Sequence, residues 1–572
     1  MLRFSIIALF IASSFVSLGQ NFSFVGPGLK VDPYAYKIVK SDTFSNAAVS
    51  SAHPLASMAG AEVMRLGGNA FDAAITTQLV LAVVYPNAGN LGGGGFLLGR
   101  TKKGKLVGLD YREMAPGAAT RDMYLDEKGQ PQTQKSQLGH LASGVPGTVA
   151  GLFATLPYAK LKMEQLIQPA IDIAEKGFVI TEREANGLNG QKNDFNKYNT
   201  RPTAFIKDKP WKAGDTLFQP ELAATLKRIQ QKGQAGFYEG ETAQLIVEEM
   251  KRGNGIISLE DLKKYIVRER APLQFKYRGY DIISFAPPSS GGLLLGQMLK
   301  MVEPFDLNKF GFHSSAAVQV MIEAERRAYA DRAEHMGDPD FWKVPTKTLL
   351  SDSYLQMRMQ DFEAGKASVS KQIKAGWIAP GEETTHLSVV DADGNLVAVT
   401  TTLNGSYGSK TVVGGAGFLM NNEMDDFSIK PGVPNMYGAV GGEANAIVPR
   451  KRMLSSMTPT LMVYKKQPWV TIGTPGGTTI PTSIFQAVVN LVDFNMSLSD
   501  AINQSKFHHQ WLPDEVMVER DFPSNTIEEL KKMGYTITPR SPIGRTEGIR
   551  IIGKKKLETV ADKRGDDSVA GY

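Results

Sequence analysis

Hydrophobic positions from Leu55 to Val84 recur at helical spacing, and the run is broken once, at Gly67-Gly68-Asn69. Glycine at a helix end supports that break, so the spacing predicts two consecutive helices, the second stopped by Pro86. Four glycines, Gly92, Gly93, Gly94 and Gly95, then lead into Phe96-Leu97-Leu98, a strand-like run with residues 106–110 as its partner. Residues 145–380 are mostly helical in pattern. One long helix starts after Ser314 or Ser315, reaches about His335 and is stopped by Gly337-Asp338-Pro339. Between 366 and 383 the periodicity dissolves into a polar loop. Beyond it the period becomes two: residues 384–391 and 396–402 read as strands joined through Asp393-Gly394. Valine-rich strands are expected to continue to about 475, followed by a helix over 481–494. Helices, strands, helices and strands in that order predict a layered α+β sandwich.

The N-terminus changes the compartment. Arg3 precedes an apolar run, residues 4–16, interrupted only by serines and followed by the small residues Ser17 and Gly19. The run is shorter than the ~20 residues of a membrane span. It reads as an export signal, residues 1–19, which places the mature protein in the periplasm or outside the cell. No later stretch reads as a span. The chain has 572 residues, 42% hydrophobic and 21% charged, enough for a large core. Its net charge of +6 is spread along the chain. Lys554-Lys555-Lys556, the densest basic run, reads as a solvated hairpin turn, so neither nucleic acid nor an acidic membrane is an expected partner. The absence of cysteine excludes disulfides, thiolate zinc sites and a cysteine nucleophile.

Several patterns that could carry chemistry read better as structure. The glycine run lacks a following Lys-Ser/Thr and opens a strand, so close backbone packing fits it better than a phosphate. Asp391-Ala392-Asp393-Gly394-Asn395 has its glycine too early for a calcium loop and reads as a turn. Ser368 and Lys371 have Ser-x-x-Lys spacing without a later Lys-Thr-Gly. His508-His509 lacks a carboxylate at helical spacing, and structural hydrogen bonding suits the pair. No metal or cofactor is expected.

The stretch that stands apart is Thr384-Thr385-His386-Leu387-Ser388, where a polar loop ends and a strand begins. Alternation places Thr384, His386 and Ser388 on one face and the more apolar Thr385 and Leu387 on the other. Together with other ordered motifs, this stretch resembles the gamma-glutamyltranspeptidase family of N-terminal nucleophile hydrolases. The matching motifs are Ala52-His53-Pro54-Leu55-Ala56-Ser57, Leu91-Gly92-Gly93-Gly94-Gly95-Phe96, Arg112-Glu113-Met114-Ala115-Pro116 and Pro287-Pro288-Ser289-Ser290-Gly291-Gly292. Further on come Asn421-Asn422-Glu423-Met424-Asp425-Asp426-Phe427, Leu454-Ser455-Ser456-Met457, Pro475-Gly476-Gly477 and the terminal Ala570-Gly571-Tyr572.

The resemblance implies a four-layer αββα sandwich made from one precursor that cuts itself between Glu383 and Thr384. Residues 20–383 and 384–572 would be the large and small subunits of a heterodimer. Thr384 would be the nucleophile and Thr402 its hydrogen-bonding neighbour. Arg112, Ser455 and Ser456 would hold the substrate α-carboxylate. Asn404, Glu423 and Asp426 would hold its α-amino group, and Gly476 and Gly477 would face the oxyanion. The glycine- and proline-containing loop 431–442, with Tyr437, resembles the family's lid. Glutathione and other gamma-glutamyl compounds would be donors, and water, amino acids or dipeptides acceptors.

Physical chemistry supports these roles. A threonine hydroxyl needs a base, and cleavage before Thr384 frees an α-amine of reference pKa ~7.7–8.0. A guanidinium suits a carboxylate, and carboxylates suit an ammonium. Two readings compete. A glutaryl-type acylase would keep the fold, but its substrate has no α-amino group for Asn404, Glu423 and Asp426. An exported amino-acid-binding protein would have no use for a scissile threonine.

Overall fold

The structure, a computed structural model, describes residues 31–373, 383–430, 442–540, 542–553 and 556–572, with the backbone alone at Glu383 and Thr384. The expected export signal, Tyr437 with most of the expected lid, and Lys554-Lys555 lie outside the described residues.

The first two helices form where the spacing places them. Helix α1 (Pro54–Arg65) ends at Leu66, and helix α2 (Ala70–Val84) starts from a reciprocal cap. The Asn69 side chain accepts from the backbone N–H of Phe71 and Asp72, and Asp72 accepts from Asn69 N at 2.7 Å. Helix α2 is buried along its whole length, which accounts for its apolar composition. No helix among the described residues is long and apolar enough to cross a membrane.

Two seven-stranded sheets lie face to face. In chain order their strands are β1 (Ser41–Phe44), β2 (Ala48–Ser51), β3 (Gly94–Arg100), β4 (Leu106–Asp110), β5 (Arg268–Glu269), β6 (Leu273–Tyr277) and β7 (Tyr280–Ser284). Then come β8 (Glu383–Val390), β9 (Leu396–Asn404), β10 (Thr460–Tyr464), β11 (Gln467–Gly473), β12 (Glu547–Ile552), β13 (Lys556–Ala561) and β14 (Ser568–Gly571). One sheet has the order β14-β2-β8-β9-β3-β4-β5, the other β1-β13-β12-β11-β10-β7-β6, and neighbouring strands are antiparallel throughout.

Three apolar layers hold the sheets in place. Leu387, Val389, Val397 and Val399 face α1, α2 and helix α3 (Met163–Lys176). Phe96, Ala398, Phe285, Leu461 and Ile549 fill the space between the sheets. Met462, Val470 and Ile472 face helices α4 (Gly291–Val302), α5 (Ser315–His335) and α6 (Thr479–Val492). The architecture is therefore helix, sheet, sheet, helix, an α+β sandwich of four layers.

The expected details divide. Gly93 is packed against the next strand: a Cβ there would lie 2.0 Å from the Thr402 carbonyl oxygen. Asp391 caps its own turn, accepting from Asp393 N and Asn395 N, and reaches Ala70 N at the start of α2. His508 pairs with Thr482 and Gln510, and His509 accepts from Trp511 N. Burial pushes these two imidazoles down to about 3 and about 4, so both are neutral structural groups. The run of strands expected up to 475 is a correction. Over residues 405–430 and 442–459 the described chain forms turns, short 3-10 segments and isolated bridges, and strands resume only at β10 and β11. Glycines at positive φ, among them Gly408, Gly415 and Gly417, interrupt the valines there.

Candidate active site

Strand β8 enters its sheet with an irregularity between Glu383 and Thr384, after which Thr384 pairs with Thr402, His386 with Thr400 and Leu387 with Val399. His386 and Ser388, on the face that alternation assigns to Thr384, point between the sheets. His386 Nδ1 lies 2.9 Å from Thr400 Oγ1, and Nε2 lies 3.1 Å from Ser388 Oγ. Burial alone pushes the His386 imidazole down to about 3, which makes it a feeble base.

The facing sheet brings the glycine pair to the same end. Thr471 donates to the carbonyl of Val397, which pairs with Val389. A Cβ on Gly473 would lie 2.1 Å from the His386 ring. From 471 to 473, then, the chain advances toward the Thr384 end of β8, and Gly476 and Gly477 come next. Their φ angles are +130° and +66°, and they precede α6, so their N–H groups stand at the positive end of a helix. A Cβ on Gly476 would meet Thr479 Oγ1 at 2.5 Å.

At the end of β9 the chain turns sharply. Thr402 Oγ1 accepts from Asn404 N at 2.7 Å, and Asn404 adopts φ +72°. Asn404 Nδ2 donates to the Asn422 carbonyl, and Asn422 Oδ1 accepts from Gly405 N, both at 2.9 Å. Asn404 Oδ1 is buried without a hydrogen-bond partner among the described residues. The same ties hold the short 3-10 turn Glu423–Asp426, whose first N–H donates to Asn421 Oδ1.

Arg112 closes the cluster. Its side chain is fully buried and donates to Glu423 through Nη1 and to Asp426 through Nη2. Nη2 also donates to the Leu454 carbonyl at 3.2 Å, and Glu113 Oε2 lies 3.5 Å from Nη1. Tyr265 holds the backbone by donating to the Arg112 carbonyl at 2.8 Å. One guanidinium thus faces three carboxyls. Burial pushes Glu113 up to about 7 despite Arg112, with Asp426 and Asp110 adding to the rise.

Ser455 follows Leu454 directly. Its N–H donates to the Pro288 carbonyl, its carbonyl accepts from Ser290, and its Oγ accepts from Met457 N at 3.2 Å. Ser456 Oγ accepts from Arg332 of α5 at 3.2 Å. The fold therefore gathers Arg112, Glu423, Asp426, Asn404 and Thr402 into one linked network and sets Ser455 beside it. Ser456 is engaged by a second guanidinium. The sequence reading assigned no role to Glu113, Asn421, Asn422 or Arg332. Three of these lie inside motifs already singled out, whereas the Arg332–Ser456 contact joins residues far apart in the chain.

The chain was then compared with known proteins. The sequence pattern described as Gamma-glutamyltranspeptidase matches residues 56–572. The chain belongs to the gamma-glutamyltranspeptidase family. Such an enzyme hydrolyses or transfers gamma-glutamyl groups. The Glutathione hydrolase proenzyme of Escherichia coli (strain K12) is 45% identical over 530 residues, covering 92% of this chain and 91% of that protein. Helicobacter pylori gamma-glutamyltranspeptidase, a crystal structure, is 43% identical with TM-score 0.56, covering 60% of this chain and 96% of that one. The cephalosporin acylase from Bacillus halodurans matches with TM-score 0.82 at 25% identity, covering 96% and 99%. Fold and family are thus those the motifs implied.

Proposed function

We propose that this gamma-glutamyltranspeptidase is an exported glutathione hydrolase and gamma-glutamyltransferase that matures by cutting its own chain between Glu383 and Thr384. The observation that carries the substrate assignment is the Arg112, Glu423 and Asp426 cluster with Asn404 beside it. A gamma-glutamyl donor ends in a free amino-acid head, one carboxylate and one ammonium. When it binds, its carboxylate takes the guanidinium with help from Ser455 and Ser456. Its ammonium takes Glu423, Asp426 and the open Asn404 oxygen. Ion pairs are exchanged and no charge is left buried alone. A glutaryl group would leave two carboxylates and an amide oxygen without a cation, which disfavours the acylase reading.

In the precursor the Thr384 hydroxyl attacks the Glu383 carbonyl, the amide becomes an ester, and water hydrolyses it. Thr402 is the expected hydrogen-bond partner of that hydroxyl. The freed Thr384 α-amine then serves as base for each turnover. Thr384 attacks the donor's γ-carbonyl, the Gly476 and Gly477 N–H groups stabilise the oxyanion, and the amine of the leaving group departs with a proton. Water or an acceptor amine releases the glutamyl ester. Residues 1–19 leave on export, 20–383 and 384–572 remain together as a heterodimer in the periplasm or outside the cell, and Tyr437 belongs to a lid. Purified protein should run on a denaturing gel as pieces of about 40 and about 20 kDa from the 62.3 kDa chain. Thr384→Ala should stay whole and be inactive. A small piece whose N-terminal residue is not Thr384 would refute the assignment.

A further inference from the structure

Each N–H of the glycine pair is opposed, across its own peptide, by a carbonyl that takes a hydroxyl. A peptide is planar and trans, so its C=O and N–H point in opposite directions. Thr474 Oγ1 accepts from Arg545 N at 2.8 Å and donates to the Pro475 carbonyl at 2.8 Å, across the peptide that carries the Gly476 N–H. The Gly476 carbonyl lies across the peptide that carries the Gly477 N–H. It accepts from Thr479 Oγ1 at 2.6 Å and from Thr479 N at 3.1 Å. With that carbonyl turned toward the first residue of α6, the Gly477 N–H points away from the helix.

The line of dipoles continues past Thr479. Its N–H belongs to the peptide whose carbonyl is that of Thr478, and this carbonyl accepts from the Tyr329 hydroxyl of α5. Tyr329 is fully buried, and its ring meets that of His508 edge to face at 5.7 Å and 84°. His508 Nε2 lies 2.7 Å from Gln510 Oε1, which also accepts from Thr478 Oγ1 at 3.1 Å. Thr478 is therefore held twice, its carbonyl by α5 and its hydroxyl by Gln510. From Tyr329 outward, one hydroxyl and two peptides stand in series: the Tyr329 O–H on the Thr478 carbonyl, the Thr479 N–H on the Gly476 carbonyl, and the Gly477 N–H on the site. Hydrogen bonds in series polarise one another, by about 10–30% per bond. Arg332, three residues on along the same face of α5, donates to Ser456 Oγ at 3.2 Å. One turn of one helix thus braces the glycine end and the serine end of the site.

We propose that Tyr329 is a positioning residue for the reaction: through the Thr478 and Gly476 peptides it aims the Gly477 N–H and makes it a stronger donor to the oxyanion. The proposal rests on the roles given to Thr384, Gly476 and Gly477 under the proposed function. Tyr329 acts two peptides away from the reacting atoms. Its hydroxyl counts only when negative charge builds on the γ-carbonyl oxygen, so binding of the glutamyl head does not depend on it. Removing a direct oxyanion donor costs about 10²–10³ in kcat, and a donor two peptides back should cost about tenfold.

Two heads that differ only at the reacting position separate positioning from folding. 2-Amino-4-boronobutanoic acid carries boron where the γ-carbonyl carbon stands. The Thr384 oxygen bonds to the boron, its proton passes to the Thr384 α-amine, and the boron becomes a tetrahedral anion with an oxygen toward the glycines. Norvaline carries a methyl group at that position and can only bind. Each is measured as a competitive inhibitor of gamma-glutamyl-p-nitroanilide hydrolysis by the processed enzyme. Tyr329→Phe should weaken the boronate about tenfold and norvaline less than twofold. Acylation and deacylation both pass through an oxyanion, so kcat for the anilide should fall about tenfold while KM stays within about twofold. Thr479→Val removes the hydroxyl from the Gly476 carbonyl. It should weaken the boronate about threefold and norvaline less than twofold, and it serves where Tyr329→Phe fails to fold. Unchanged boronate binding, or boronate and norvaline weakened alike, would overturn the proposal in either variant. A wild-type enzyme that binds the boronate no more tightly than norvaline would instead remove the oxyanion reading itself, and the proposal with it.

Discussion

Arg112 is a buried cation whose counter-charges are built in, and that fixes what removing either side must do. Glu423 and Asp426 hold the guanidinium, and in the proposed binding mode a donor's ammonium draws them away. Asp426→Asn should leave self-cleavage intact. It should cost about 1.5–3 kcal/mol of charge-assisted contact, one to two decades in kcat/KM for gamma-glutamyl donors. Kinetics with the anilide donor alongside a denaturing gel check both halves, and unchanged kcat/KM would remove Asp426 from the site. Glu113 gives a pH signature. Burial raises its folded pKa to about 7, above the ordinary 4.5. The folded state therefore holds a proton that the unfolded state gives up, and the associated stability is present below pH ~4.5 and lost as pH rises through about 7. Glu113→Gln should lose less thermal stability between pH 5 and 8 than the wild type, and parallel Tm profiles would contradict this. Arg112, Glu423 and Asp426 were legible because each sits in a motif with its own order of residues. Glu113 was not, since an acid beside an arginine looks the same in a sequence whether it is buried or exposed. The tie between Arg332 and Ser456 exists only once α5 is packed.

The elements that the sequence foretold best are those whose signal is local. The helix break at Gly67-Gly68-Asn69, the Asp393-Gly394 turn and the strand partnership of residues 96–98 with 106–110 all rest on neighbours a few residues apart. Residues 405–430 and 442–459 misled because β-propensity describes how a side chain suits a pleated surface, and here the chain is held by side chains reaching the backbone. Lys451 Nζ, for one, donates to the carbonyls of Ala444 and Ala446. At the same scale, Gly93 sets how closely β3 and β9 approach at Thr402. Gly93→Ala should displace the Thr402 carbonyl and slow self-cleavage by tenfold or more, an effect beyond any fall in Tm. A time course on denaturing gels measures it, and cleavage at the wild-type rate would show that the approach does not matter.

At the scale of the molecule, the proposed cut falls at the start of a strand that is paired on both sides. Strand β8 lies between β2 from the upstream part and β9 from its own, and β9 in turn pairs with β3. In the facing sheet β1 pairs with β13 and β7 with β10, again across the cut. The backbone of the last residue is bound too, since the Tyr572 carbonyl accepts from Ser45, Asn46 and Ala47. Each part alone would expose several unpaired strand edges. The two fragments should therefore elute together at every dilution and come apart only in denaturant, in a single transition. Dissociation at micromolar concentration on size exclusion would argue against the weave.

The weave also sets the kinetic order of maturation. Two separately made subunits must find each other, and their yield depends on the product of two concentrations. Under the proposed self-cleavage every cross-pairing forms before the backbone is opened, so the appearance of active sites should be first order in folded chains. The stoichiometry of the proposed heterodimer is one to one by construction, and dilution costs it no partner.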